Sequence, residues 1–151
     1  MSDDIRDRPV SGYFDDKEHR FPVRVYFEDT DLSGIVYHAN YLRFMERARS
    51  DMLRLAGVDQ RATIEADEGA YAVVDLAIKY RMPAKLDDDL LVVSHVTGVR
   101  AASCAIHQRV MRGSDILTDA DVTAALVAPS GRPMRQPREW VETFKRLKIG
   151  E

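Results

Sequence analysis

Apolar and polar residues alternate from Phe21 to Phe27 (FPVRVYF), with β-branched Val23 and Val25 on one face, and this period of two predicts a strand. The period changes at Asn40. Through Ala56 the chain reads NYLRFMERARSDMLRLA, where Tyr41, Met45, Ala48, Met52 and Leu55 recur at helical spacing and Phe44 and Leu53 widen the stripe. Asn40 is placed to cap this helix, and Gly57 to end it in a left-handed turn. Residues 58–69 are polar and predict a short helical turn. Four strand-like runs follow at 70–80, 89–99, 103–111 and 116–128, separated by RMPAKLDD, RAA, RGSD and PSGRP. Pro137 to Lys148 predicts a closing helix with proline near its first turn. Residues 1–20 are polar and read as a flexible leader, which leaves 21–148 as one folded domain.

Short links between the later strands imply mostly antiparallel neighbours. One sheet of about five strands has a face to cover, and the helix at 40–56 is the element able to cover it. The predicted class is α+β, an antiparallel sheet wrapped around one long helix.

Composition narrows the function classes. The 151 residues suit one core, and the net charge of −3 carries no global nucleic-acid signature. No apolar run approaches the roughly 18–20 residues that span a bilayer. The beginning, MSDDIRDRPV, has no apolar signal core. With one cysteine, Cys104, no intrachain disulfide forms, and a small buried thiol is the simplest reading of AASCAIH. Cytoplasmic location is the expectation.

The chemistry gathers at residues 29–34, DTDLSG. As an EF-hand the loop supplies Asp29, Asp31, Ser33 and Gly34 at positions 1, 3, 5 and 6, but position 12 is Asn40 and the preceding segment is a strand. His38, His95 and His107 show no metal-ligand spacing. No metal dependence and no cofactor are expected. A second reading uses the helix that follows. Gly34 allows the turn, and the first N–H groups of the helix lack intrahelical partners and carry partial positive charge. A carbonyl docked there is polarised, with Asp31 upstream to act on its carbon, the minimum arrangement for acyl transfer.

The stretch VRVYFEDTDLSGIVYHANYLRFMERARSDMLR resembles the signature, roughly Y-x-x-D-T-D-x-x-G-x-V-Y-H-x-x-Y, of hot-dog-fold acyl-CoA thioesterases of the 4-hydroxybenzoyl-CoA thioesterase class, within it the Tol-Pal-associated YbgC type. YRMPAKLDD and VTGVRAAS match later parts of that pattern, and the resemblance spans about residues 21–145. It implies a hot-dog fold and a thioester hydrolase with Asp31 as its carboxylate. It implies His38 as the residue whose backbone N–H, and in YbgC-type enzymes side chain, serves the thioester carbonyl. Gly34 and Tyr37 belong to the same motif on the substrate side, and Arg100 and Arg135 match basic positions near the CoA nucleotide. Phe27 stands four residues before Asp31, where the resemblance implies a tyrosine.

Asp31 either attacks the thioester directly or deprotonates a water, and the sequence leaves both open. Asp29 is expected to hold the turn, Glu46 to pair with Arg49 or Ser50 on a polar helix face, Asp75 to face solvent, and Lys79, Arg81 and Lys85 to form a solvated rim. A hot-dog hydroxyacyl-thioester dehydratase and a non-catalytic acyl-thioester binding module are the alternatives. The expected partners are acyl-CoA, or an acyl-carrier protein, and a second copy of the chain in a homodimer or tetramer. Val73 and Val74 are the candidates for an acyl-pocket wall given across that interface.

Overall fold

The computed structural model describes residues 3–150. Its strands are β1 (Tyr13–Asp15), β2 (Glu18–Arg24), β3 (Ala70–Tyr80), β4 (Asp89–Val99), β5 (Ser103–Arg112) and β6 (Asp115–Val127). They form one sheet in the order β1-β2-β4-β5-β6-β3, with every neighbouring pair antiparallel. The helices are α1 (Asn40–Leu55), α2 (Gln60–Glu65) and α3 (Arg138–Leu147). Short turns make β4–β5 and β5–β6 hairpins, and β3 crosses to the far edge beside β6.

Helix α1 fills the concave face. Tyr41, Phe44, Met45 and Ala48 meet Val25, Val92, Val110, Leu117 and Val122 in one buried cluster. Met52 and Leu53 join Val58, Val96, Ile106 and Phe144 in a second. Full burial of a side chain such as Phe44 or Met45 is worth about 1.5–3 kcal/mol. Strand β5 shows the alternation that makes this possible: Cys104, Ile106, Gln108 and Val110 point inward, and their neighbours are less buried.

The end of α1 follows the sequence closely. Gly57 has φ of +89°, the Gly57 N–H donates to the Arg54 carbonyl and the Val58 N–H to the Leu53 carbonyl. This is the Schellman pattern, closed by the contact of Val58 with Leu53.

Three expectations are corrected. Asn40 does not cap α1: it is the first helical residue, Ala39 precedes it without a side-chain cap, and the Asn40 amide instead donates to the Asp29 carbonyl at 2.9 Å. Leu55 lies 45% exposed, because the drift of the helical stripe carries the last turn away from the sheet. The leader does not extend to residue 20. Residues 13–24 form the hairpin β1–β2 on the sheet, and His19 is fully buried. Up to residue 20 its inward residues are Phe14 and His19 among charged ones, so no apolar run marks that part; Phe21 and Val23 pack against the core further along β2.

That hairpin is fastened to α1 by one acid. Asp51, 4% exposed, accepts from His19 Nε2 at 2.7 Å, from the Gly12 N–H at 2.9 Å and from Ser11 Oγ at 3.1 Å. A Cβ on Gly12 would stand 2.4 Å from the Arg20 carbonyl oxygen, closer than packing allows, so glycine is required there by space.

Candidate active site

The loop between β2 and α1 is built by its own hydrogen bonds. The Asp29 carboxylate accepts from the Tyr26 N–H at 2.9 Å. Its carbonyl takes the Tyr37 N–H at 2.9 Å and the Asn40 amide. Asp29 therefore holds the turn from both ends. Thr30 pairs with Val36 and Ile35 with Lys85 in isolated bridges, which close the loop at its base. Gly34 has φ of +83° with nothing within 4 Å of a notional Cβ. Its role there is conformation, not space.

Asp31 sits at the exposed tip of this loop. One carboxylate oxygen, Oδ1, accepts from the Ser33 N–H at 2.8 Å and from the Ser33 hydroxyl. The Ser33 hydroxyl, then its N–H, hold the Asp31 carboxyl below the usual range. The group stays ionised, with a smaller contribution in the same direction from the Ile35 backbone. Removing the hydroxyl raises that pKa. A Ser33→Ala variant is therefore expected to move the acid limb of kcat/KM to higher pH and leave the neutral plateau nearly unchanged. A pH–rate profile checks this, and an unmoved acid limb contradicts it.

His38 lies where the loop enters α1. Its ring centroid is 4.5 Å from that of Tyr37 and 6.1 Å from that of Tyr80. Its carbonyl accepts from the Tyr80 hydroxyl at 2.9 Å. Among the described residues, nothing accepts from the backbone N–H of His38 or of Ala39. The Asn40 N–H turns back to the Tyr37 carbonyl at 2.8 Å. The helix start thus presents free donors just beyond the closed loop that carries the ionised carboxylate.

A cavity of about 320 Å³ lies deeper, between α1 and strands β3, β5 and β6. Leu42, Val73, Leu76 and Ile106 give it apolar walls, and Glu46 and Arg49 a polar one. It does not include Asp31, Gly34, Tyr37 or His38, although Leu42 is one helical turn beyond His38. Val73 lines it; Val74 does not, and is 59% exposed. Glu46 and Arg49 do not form the expected ion pair. Arg49 donates instead to Gln108 Oε1 at 2.9 Å. Gln108, fully buried, spends its amide on the Met45 carbonyl and the Ser94 hydroxyl. Burial pushes the Arg49 pKa down. Cys104 also borders the cavity, where burial pushes its thiol up to about 12, so it stays a neutral wall residue.

Arg100 and Arg135 are exposed and come together at one end of the sheet. Gln136 ties them: its N–H donates to the Ala101 carbonyl at 2.8 Å, and its amide to the Arg100 and Ser103 carbonyls. Arg81 is not a free rim cation, since it pairs with Asp119 at 2.7 Å. Asp75 is exposed at the β3 bulge, as expected.

The family model of the thioesterase superfamily matches residues 33–118. This chain belongs to that superfamily. The acyl-CoA thioesterase YbgC of Haemophilus influenzae is 43% identical over 134 residues, covering 88% of this chain and 98% of its own. The acyl-CoA thioester hydrolase YbgC of Escherichia coli O157:H7 is 40% identical over 128 residues, covering 83% and 95%. A crystal structure of a probable thioesterase from Bartonella henselae superposes with a TM-score of 0.75 at 35% identity, over 80% of this chain and 99% of that one. The hot-dog fold of the superfamily is the sheet-and-helix arrangement described above. Counted along the quoted signature, its leading tyrosine falls on Tyr26, five residues before Asp31. Phe27 then occupies a position that the quoted signature leaves open; the matched residues 33–118 do not include it.

Three contributors to the site were not found from sequence. Ser33, two residues after Asp31, carried a usable signal, because Asx turns bond at that spacing. Tyr80 and the Arg49–Gln108 pair carried none, since their partners are 42 and 59 residues away.

Proposed function

We propose that this chain hydrolyses acyl-CoA thioesters to the free acid and CoA, with Asp31 as the reacting carboxylate and the His38 N–H as an oxyanion donor. The observation that carries the reading is the closed loop 30–36, which holds an exposed, ionised carboxylate a few residues upstream of a helix start with free N–H groups. The names of the superfamily relatives support the substrate class. A pKa held low favours Asp31 as nucleophile. One carboxylate oxygen bonds to the acyl carbon, the C–S bond breaks, and the thiolate leaves and takes a proton from water. Water then opens the mixed anhydride, releasing the acid and restoring Asp31. Free donors at the start of α1 stabilise the oxyanion at both steps. In this reading Arg100 and Arg135, whose backbones Gln136 ties together, serve the phosphates of CoA. A cytoplasmic setting is part of the reading; no helix among the described residues is long and apolar enough to cross a membrane.

The acyl pocket in this reading is shared between two copies. Strand β3 is a sheet edge with Val73, Val74 and Leu76 exposed, an arrangement that invites pairing with another strand. Edge-to-edge pairing across a two-fold axis brings the Asp31 loop of one copy toward the Val73 wall and cavity of the other. Light scattering in dilute solution is expected to give at least twice the 17.1 kDa chain mass; a fully active monomer contradicts the shared site.

The activity is tested with a panel of acyl-CoA substrates and a thiol reagent, wild type against Asp31→Asn. Release of free CoA by wild type and its loss in the variant support the reading. An enoyl thioester as product instead indicates a dehydratase, and binding without turnover a non-catalytic module; either outcome sinks it.

A further inference from the structure

Tyr80 is the last residue of β3, yet its hydroxyl is spent on the loop that begins α1. It donates to the His38 carbonyl at 2.9 Å. Its ring meets the Tyr41 ring edge-on at 5.7 Å and the His38 ring at 6.1 Å. A carbonyl acceptor fixes a peptide plane. The plane held here is the one joining His38 to Ala39, and its N–H is that of Ala39. The preceding plane, which carries the His38 N–H, is held through the Tyr37 carbonyl by the Asn40 N–H. Two consecutive peptide planes are therefore each fixed at their oxygen, and each has its N–H free among the described residues. Hydrogen bonding to the oxygen of an amide also strengthens its N–H as a donor.

We propose that Tyr80 is a positioning residue for the oxyanion site: its hydroxyl sets the orientation of the His38–Ala39 peptide, so that the Ala39 N–H joins the His38 N–H in holding the thioester oxygen. This rests on the thioesterase reading above. It adds a second donor to that site and a residue from the opposite edge of the sheet. Preorganisation is what makes such donors effective, because a peptide free to rotate must be reoriented during each turnover. Since β3 also supplies Val73 and Leu76 to the cavity wall, in the shared-site reading one strand links the oxyanion donors of one site to the acyl wall of the other.

The test is Tyr80→Phe, which keeps the ring against Tyr41 and His38 and removes only the hydroxyl. Steady-state kinetics on an acyl-CoA that the wild type hydrolyses are expected to show kcat lower by roughly tenfold, the effect of one hydrogen bond. KM is expected to stay within about twofold, as for an interaction used in the transition state. The amide proton of Ala39, followed by NMR on labelled protein at the assay temperature, is expected to move upfield as its carbonyl partner is lost. The two readouts separate the two readings. A wild-type chain that releases no CoA from any substrate defeats the thioesterase assignment, while the Ala39 shift still tests the clamp. An unchanged kcat, or a fall in kcat matched only by loss of folded protein on melting, overturns the role of Tyr80. So does an unmoved Ala39 resonance.

Discussion

Asp31→Ala is expected to lower acyl-CoA turnover by about 10²–10⁴-fold, the range lost with a positioned reacting group, while the protein melts nearly as wild type. The split follows from where the carboxylate sits. Asp31 is exposed and its partners, the Ser33 N–H and hydroxyl, find water when the carboxylate is gone. Surface changes of this kind stay within about 0.5 kcal/mol. Asp29→Ala is expected to behave in the opposite way. Its carboxylate holds the Tyr26 N–H, so stability falls by about 0.5–1.5 kcal/mol and activity falls less than in Asp31→Ala. Kinetics and thermal melting of the two variants side by side decide the point. A fully active Asp31→Ala protein removes the proposed mechanism.

The largest stability effect is expected at Asp51, far from that loop. Asp51→Ala leaves the buried His19 Nε2, the Gly12 N–H and the Ser11 hydroxyl without their acceptor. Leaving a buried neutral donor without its acceptor costs about 1–3 kcal/mol, which in a chain of this size lowers Tm by roughly 3–10 °C. The same cluster gives a pH dependence. Burial pushes the His19 pKa below its ordinary 6.5, outweighing the attraction of Asp51. Geometry agrees: Nδ1 has no partner among the described residues, and Phe14 and Phe21 flank the ring. A proton there would be a buried donor with no acceptor. The folded state therefore binds fewer protons than the unfolded chain once pH falls below about 6.5. By linkage, the His19 contribution to stability is complete above that value and is lost as pH drops toward the lowered folded pKa. Urea unfolding at pH 7.5 and pH 5.5 is expected to show a smaller pH-dependent loss in His19→Phe than in wild type. Equal losses contradict a neutral, buried His19.

The sequence by itself determined the elements whose information is local. The stripe from Tyr41 to Leu53 and the Gly57 stop placed α1 to within a residue of its observed range, and alternating runs between turn residues placed β3 to β6. Periodicity of 3.6 or 2, and the conformations open to glycine, act over a few residues and need no partner. The DTDLSG motif, with a helix after it, was legible for the same reason, since the closed loop 30–36 is bonded largely within itself. Tertiary structure decided the rest. His19 carries no apolar signature, and only an acid 32 residues away makes its burial tolerable, so residues 13–20 of the hairpin could not be read from their own pattern, although the strand from Phe21 onward could. Arg49 chose Gln108 on β5 over Glu46 one turn away, because the sheet brings a buried amide, anchored by Met45 and Ser94, against that face of α1. The Tyr80 hydroxyl met the His38 carbonyl because β3 crosses to the far edge of the sheet and its last residue ends beside the start of α1. Polar side chains at such positions take whichever partner burial leaves them, and that partner is set by strand order and register, which no local pattern encodes.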